Sequence, residues 1–445
     1  MKQIIQLSDH FTYQKLLRFT LPSVVMMIFS SIYGVVDGFF ISNYAGKTPF
    51  AAACLIYPYM MVFSTCGFMI GTGGTALISK TMGEGDCEKA NRLFSMLVYL
   101  SIAGGIVLSV IAIVLLRPVA ILLGARGAII DDCVVYGTII LPALFSFILQ
   151  NEFQSFCVAA EKPQLGLWLT VAAGLTNILL DALFVAVFRW GLAGAAIATA
   201  LSQLVGGLVP LVYFLRPNKS RLRLCKPSFD GRALLKVCTN GSSELMSTMS
   251  TSLLSMLHNF QLLRFAGEDG VAAYGIIMYV DFIFIAVFLG YAIGSAPIIG
   301  YHFGAGNHPE LKSLFRQSNL LLVWVSIGLT GIAIVAADML AGLFAGYDAG
   351  LFEMTKYAFI IHSLSFLFCG FNIFGSSLFT ALNNGLVSAA ISFFRTLVCQ
   401  TAAVLILPEF FGVNGIWSAI VVAELLSLLL TLICFAKLKG RYHYA

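Results

Sequence analysis

The chain is 445 residues long, 59% hydrophobic and only 11% charged, with a mean hydropathy of +0.92. Such a composition excludes an ordinary soluble domain and describes an all-α integral membrane protein. The net charge of +5 needs no nucleic acid to explain it, because the basic residues divide according to membrane side.

Twelve apolar runs follow one another, each long enough to cross a hydrocarbon core of about 30 Å at about 1.5 Å per residue. The first, 19–44, is about twice the length of a signal-peptide core and lacks a small-residue cleavage site, so it is read as a true span. It carries Pro22, Tyr33 and Asp37. Spans 50–79 and 93–116 come next, the former with Pro58 and "GTGGTA" from Gly71. Span 133–159 holds Pro142 and Glu152, the latter near its inner end and expected to snorkel to the headgroups. Span 165–188 contains "GLTNILLDALFV", which sets Asn177 and Asp181 four residues apart on one helix face. Span 192–215 does the same with Thr199 and Gln203 and carries Pro210. After a basic linker at 216–233, spans 234–263 and 271–299 bring Glu244, Asp281 and Pro297. Spans 314–337, 357–381, 386–407 and 415–436 complete the set, with His362 in the tenth, Arg395 in the eleventh and Glu424 in the twelfth.

Loops on one side carry Lys47, Arg117, Arg126, Arg189, Arg264 and Lys356. The N-terminus, the 80–92 loop, Lys162, the linker with the following Lys236, Lys312, Arg316 and the tail carry nineteen Lys and Arg, Lys2 and Lys219 among them. The positive-inside rule therefore predicts a multi-pass membrane protein with both termini in the cytoplasm. The ten cysteines show no C-x-x-C spacing and lie mostly within spans, which indicates neither a zinc site nor a disulfide framework. They read as small buried apolar residues.

The loop "GEGDCEKANRLF" from Gly83 returns as "GAGNHPELKSLF" from Gly304, a shift of 221 residues. The same shift aligns "WGLAG" at Trp190 with "FGVNG" at Phe411, and Tyr136 with Tyr357. One constant shift across three regions marks a duplication. Each copy holds an even number of spans, so both enter the membrane in the same sense and form two parallel six-helix repeats. The expected divisions are an N-terminal bundle at 1–215, the linker at 216–233 and a C-terminal bundle at 234–445, facing each other across a central cleft.

An ionisable group at the bilayer centre costs on the order of 3 kcal/mol, so it faces a cavity or a partner. Asp37 lies seven residues before Tyr44, Asp181 seven before Phe188 and Thr199 seven beyond Leu192, which puts all three about 10 Å below the outer surface. With Asn177 they form one predicted polar cluster. Two carboxylates in a low-dielectric pocket cannot both stay ionised cheaply, so they take up a proton or hold a sodium ion. Arg395 and Glu424 are expected to be a structural ion pair. Glu244 and Asp281, with no obvious cation nearby, join Tyr33 and Gln203 as candidate contacts for a positively charged substrate. Pro22, on the same helix as Asp37, marks a candidate bend.

Two motifs are set aside. "GKT" at Gly46 lacks the glycine that a phosphate loop needs at position 41, where Ile41 stands, so ATP is not expected as the energy source. "GEGD" and "YD" resemble the paired motifs of intramembrane aspartyl proteases, yet the topology puts Asp86 and Asp348 on opposite sides of about 30 Å of bilayer. No enzymatic site follows.

The stretches "LPSVVMMIFSSIYGVVDGFFIS", "MGEGDCEKA", "NILLD" and "GLAGAAIAT" resemble the multidrug and toxic compound extrusion (MATE) family over essentially the whole chain. The chain is most similar to the MepA-type bacterial pumps, and its first-half polar cluster to the DinF-like branch. The resemblance implies export of organic cations and hydrophobic drugs by antiport with H⁺ or Na⁺, with no other cofactor. It also implies a cation site at Asp37, Asn177, Asp181 and Thr199 and a bending proline at Pro22. The NorM-like branch has carboxylates in helices 7 and 10. Here the tenth span has no acidic residue and carries His362, and Glu244 sits close to the start of the seventh, so a second-half sodium site is not expected. A flippase for a lipid-linked saccharide and a non-transporting membrane sensor are the alternative readings.

Overall fold

The computed structural model describes residues 5–123, 125–218, 220–346 and 348–445, with the backbone alone at Lys47 and Phe344. Lys2, Lys219 and Tyr347, used above, lie outside the described residues, as does the Lys47 side chain.

The first six helices are α1 (Tyr13–Ala45), α2 (Lys47–Gly83), α3 (Cys87–Leu122), α4 (Ala128–Ala159), α5 (Pro163–Val187) and α6 (Gly191–Leu215). The next 74 residues, Gly231–Gly304, are helical apart from Gly267, whose φ of 67° and ψ of −157° break the hydrogen-bonded ladder. A single rod of that length would reach about 110 Å, more than three hydrocarbon thicknesses. Gly267, free of the Cβ that makes this backbone costly, divides it into α7 (231–266) and α8 (268–304). Then come α9 (His308–Ala345), α10 in two pieces bent by 48° (Ala349–Ser363 and Phe366–Ala381), α11 (Gly385–Phe411) and α12 (Val413–Tyr442). Among the described residues the twelve predicted spans are therefore all helical, several running a turn or more past the apolar run. Pro22 does not break α1, which is continuous through it. What proline removes there is one donor, leaving the Arg18 carbonyl without its usual helical partner.

The duplication is visible in local chemistry. Asp86 caps α3 by accepting from Lys89 N at 2.9 Å, and Asn307, 221 residues later, caps α9 by accepting from Glu310 N at 3.2 Å. The preceding glycines, Gly85 at φ 91° and Gly306 at φ 65°, supply the left-handed turn. At the seam between the halves, a Cβ on Gly83 would collide with the Tyr301 carbonyl and a Cβ on Gly304 with that of Lys80. Lys80 and Tyr301 are also 221 apart, so the contact is reciprocal about a pseudo-twofold axis. α1–α6 and α7–α12 are thus two parallel six-helix bundles.

Glycine lets the bundles meet closely on the face that bears the termini. Gly73 of α2 abuts Val237 of α7, and Gly290 and Gly294 of α8 lie against Val24 and Thr20 of α1. Val237, Ile298 and Leu314 of the second bundle enter the hydrophobic core of the first at this end. The distal core, around Ile56, Leu116, Tyr136 and Ala195, takes in nothing from the second bundle. Gly34, Gly38, Gly267 and Gly275 have no neighbour within 4 Å of an added Cβ. The cleft is closed on the terminal face and open on the distal face, with Ser31 Oγ donating to Phe282 O at 3.4 Å near its floor.

Phe11 and Tyr444, near the two ends of the described chain, pack under α9. Gln317 Nε2 donates to Phe11 O at 2.8 Å, and the Tyr444 ring lies 4.9 Å from that of Phe315. The segment before α1 crosses the seam as a strap: Leu7 N donates to Glu161 of the first bundle and Phe11 N to Glu310 of the second, both at 2.8 Å. Residues 220–230 run beneath the first bundle, where Arg223 N donates to Asn91 Oδ1 at 2.8 Å and Cys225 N to Ser95 Oγ at 2.8 Å.

Two expectations change. Glu152 does not snorkel: it is 0% exposed, enclosed in the first bundle, and neither carboxyl oxygen has a hydrogen-bond partner among the described residues. α4 runs on to Ala159 and packs closely at Gly71 of α2, so the side chain cannot reach the headgroups. The cysteines are all free, but only Cys133, Cys157, Cys369 and Cys399 are buried; Cys54, Cys87 and Cys225 are exposed.

Candidate functional site

Asp37, Asn177, Asp181 and Thr199 converge from α1, α5 and α6. Thr199 Oγ1 donates to Asp37 Oδ1 at 3.3 Å, and Asn177 Nδ2 donates to Thr199 Oγ1 at 3.4 Å. The threonine hydroxyl thus relays one donor from α5 to the carboxylate of α1. Asp181 is 0% exposed and interacts directly with Asp37. Neither Asp181 oxygen nor Asn177 Oδ1 has a donor among the described residues. The pocket is therefore rich in acceptors and short of donors. A cation shared by the two carboxylates, or a proton on one that donates to the other, satisfies those acceptors.

Local structure explains the convergence. Gly174 admits Phe29 and Tyr33 of α1 against α5, so Asp37, one turn beyond Tyr33, reaches Asp181. Directly after Asp181, α5 widens into a π turn over Ala182–Val187, and α1 does the same over Ile41–Ala45. Such turns reorient the following side chains and recur at functional sites. Asp37 is half-buried at the cleft wall with Asp181 enclosed behind it.

The other sequence-derived candidates fare differently. Tyr33 lies beside Asp37 and Gln150. Gln203 is buried with Oε1 unpartnered, one turn along α6 from Thr199. Glu244 is half-buried, makes no hydrogen bond among the described residues, and stands about 20 Å along α7 from its start rather than close to it. Asp281 has a hydrogen-bonding partner that the sequence did not show: His362 Nε2 of α10 lies 2.8 Å from its Oδ1. A helix number and a residue spacing do not reveal that α8 and α10 are neighbours, so the pair was invisible in one dimension. Arg395 and Glu424 form the expected ion pair at 2.7 Å, with Asn372 Nδ2 donating to the second Glu424 oxygen at 2.7 Å. Sequence reasoning missed Tyr57 of α2, which lies near Tyr33 and Asp37 of α1 and Tyr279 of α8. A single tyrosine in a span carries no signal of its own.

The MatE family profile matches residues 22–183 and again 245–404, well over half the chain and once in each bundle. The chain belongs to the MatE family. Within it, Multidrug export protein MepA of Staphylococcus saprophyticus is 23% identical over 447 residues, which cover 99% of this chain and 97% of that protein. MepA of Staphylococcus aureus is 23% identical over 437 residues, covering 96% and 94%. The outward-facing structure of a multidrug-resistance MATE transporter superposes with a TM-score of 0.91 at 22% identity, covering 99% of each chain. At that identity the likeness establishes the fold, and this MatE-family chain is a membrane transporter rather than an enzyme.

Proposed function

We propose that this protein exports organic cations and hydrophobic drugs across a bacterial inner or plasma membrane by antiport with H⁺ or Na⁺, as a MepA-type pump. The coupling ion is held at Asp37, Asn177, Asp181 and Thr199, and substrate contacts Tyr33, Gln203 and Glu244 along the cleft. No ATP or nucleic acid takes part; lipid is its solvent. The division into bundles at 1–215 and 234–445, joined by a cytoplasmic linker at 216–233, follows the duplication, and the basic residues put both termini in the cytoplasm.

The observation that carries this reading is the meeting of Asp37 and Asp181 in a donor-poor pocket at the wall of a distally open cleft. In the cycle, the outward-open form loads a cation there, the pocket loses negative charge, α1 rearranges around Pro22, substrate leaves, and the loaded form returns inward. Each charge carried through the membrane field is worth about 2.3 kcal/mol per 100 mV, enough to sustain a useful substrate gradient.

Dye efflux from proteoliposomes under separate pH and sodium gradients tests both coupling and ion. Asp37→Asn and Asp181→Asn should each abolish gradient-driven efflux while the proteins still fold. Wild-type rates in both variants would remove the coupling site. A flippase for a lipid-linked saccharide is less well supported: a pyrophosphate calls for free basic groups, and Arg395 is already engaged by Glu424. A sensor would show no flux.

A further inference from the structure

The second bundle carries its own enclosed charge cluster, outside the coupling site just described. Arg395 of α11 and Glu424 of α12 neutralise each other at 2.7 Å. Asp281 of α8 adds a further negative charge, 6% exposed, and its one hydrogen-bonding partner among the described residues is His362 Nε2 at 2.8 Å. With His362 neutral, these four groups leave one net negative charge inside the bundle. With His362 protonated, the sum is zero. An uncompensated charge at membrane depth is costly, so the cluster is built to hold one proton.

Among the described residues no other side chain hydrogen-bonds to Asp281. From α7, His258 faces the pair with its Nδ1 committed to Leu254 O at 2.9 Å and its ring stacked on Tyr274 of α8 at 4.9 Å. A carbonyl only accepts, so the Nδ1 proton is fixed there. Tyr274 itself also faces Asp281, as does Cys369 of α10. Arg395 acts on Asp281 from α11 but is held by Glu424. α9 presents the uncharged Thr330, which donates to Ser363 O at 3.4 Å, and α1 meets α8 through the uncharged Ser31. His362 is the last residue but one of the first piece of α10, just before the 48° bend.

We propose that the Asp281–His362 pair is a proton-binding site of the second bundle, taking up one H⁺ at the bend of α10 separately from the carboxylates of the first bundle. Proton arrival makes the pair a charge-assisted hydrogen bond that ties α8 to α10. Proton loss leaves the Asp281 anion enclosed beside a neutral imidazole and weakens that tie where α10 is already bent. The full antiporter then binds cations at two places: H⁺ or Na⁺ in the first bundle and H⁺ in the second.

The test is equilibrium proton uptake by the purified full-length protein in nanodiscs, followed with a pH dye as weakly buffered samples are acidified from pH 8 to 5. His362→Gln/Asp281→Asn keeps an amide hydrogen bond between the two helices and should take up about one proton fewer per protein than wild type. The same deficit should appear when these changes are added to Asp37→Asn/Asp181→Asn, which separates this site from the first-bundle reading. Should the combined variant fold poorly, Asp281→Asn alone serves, with uptake at His362 moving to lower pH. Uptake curves matching wild type in these variants would overturn the proposal, whatever efflux shows.

Discussion

Gly83 and Gly304 give the fold its most direct test, because their contacts exist only while the seam on the terminal face is closed. A Cβ on Gly83 would sit 2.8 Å from Ala305 N and 2.9 Å from the Tyr301 carbonyl carbon, and one on Gly304 2.8 Å from the Lys80 carbonyl carbon. Non-bonded heavy atoms are comfortable near 3.5–4.0 Å, so each alanine needs the two backbones to part by roughly 1 Å. Overpacking of that kind costs about 1–3 kcal/mol. The gain in helix propensity from Gly→Ala, about 1 kcal/mol, is felt in both conformations and cancels from their balance. The equilibrium should therefore move roughly 5- to 150-fold away from the distally open form.

Hydrogen exchange in nanodiscs reads this shift directly. Amides at 80–86 and 301–307 should exchange faster in Gly83→Ala and in Gly304→Ala, and by similar factors, since the two sites are related by the repeat. Their double variant should fall short of additivity, because either change alone already parts the seam. Gly104→Ala, on α3 with nothing within 4 Å of the added Cβ, is the control. If the seam variants exchange and pump like Gly104→Ala, the glycine contacts do not set the conformational balance, and the reasoning fails.

Other outcomes follow from the same geometry. Thr199→Val removes the hydroxyl between Asn177 and Asp37 and should weaken coupling-ion binding by about 1–3 kcal/mol, read as a rise in the ion concentration for half-maximal efflux. Arg395→Met leaves Glu424 buried and unpaired and should cost about 3–5 kcal/mol, whereas Arg395→Met/Glu424→Leu should recover most of the loss in a thermal unfolding series. Glu310→Ala removes acceptors for Phe11 N and for His10, so the strap should exchange faster and become protease-sensitive. The strap should also respond to pH through Glu161, where burial raises the carboxyl above its ordinary value despite the Leu7 N–H and Arg221. A carboxyl raised in the strapped state binds its proton there more tightly than in the released state, so the strap gains stability as pH falls into the carboxylate range and loses it as pH rises. Exchange at residues 5–11 should slow on acidification, and Glu161→Gln should flatten that dependence; an unchanged slope would contradict the account.

Much of this protein is legible before any coordinates. The spans follow from the length of apolar runs, because a bilayer of fixed thickness leaves a chain few ways to satisfy its backbone. The duplication follows from the 221-residue shift, and the polar cluster from depth: Asp37, Asp181 and Thr199 each stand seven residues from the distal end of a span, so geometry along single helices already brings them level. Local chemistry also reads well, as the Asp86 and Asn307 caps show, since a cap involves only residues a few positions apart.

What tertiary structure alone decided is who faces whom. That Asp281 has a histidine partner, that Glu152 is enclosed rather than snorkelling, and that Tyr57 looks across at Tyr279 all depend on the rotation of each helix about its axis and on which helices are neighbours. In lipid the outside of a bundle is as apolar as its inside, so hydropathy does not signal which face of a span is turned inward. The open side of the cleft is likewise a balance of packing between two whole bundles. It is set by glycine-sized approaches at Gly73, Gly83, Gly290 and Gly304, whose meaning appears only once the opposing backbone is in place.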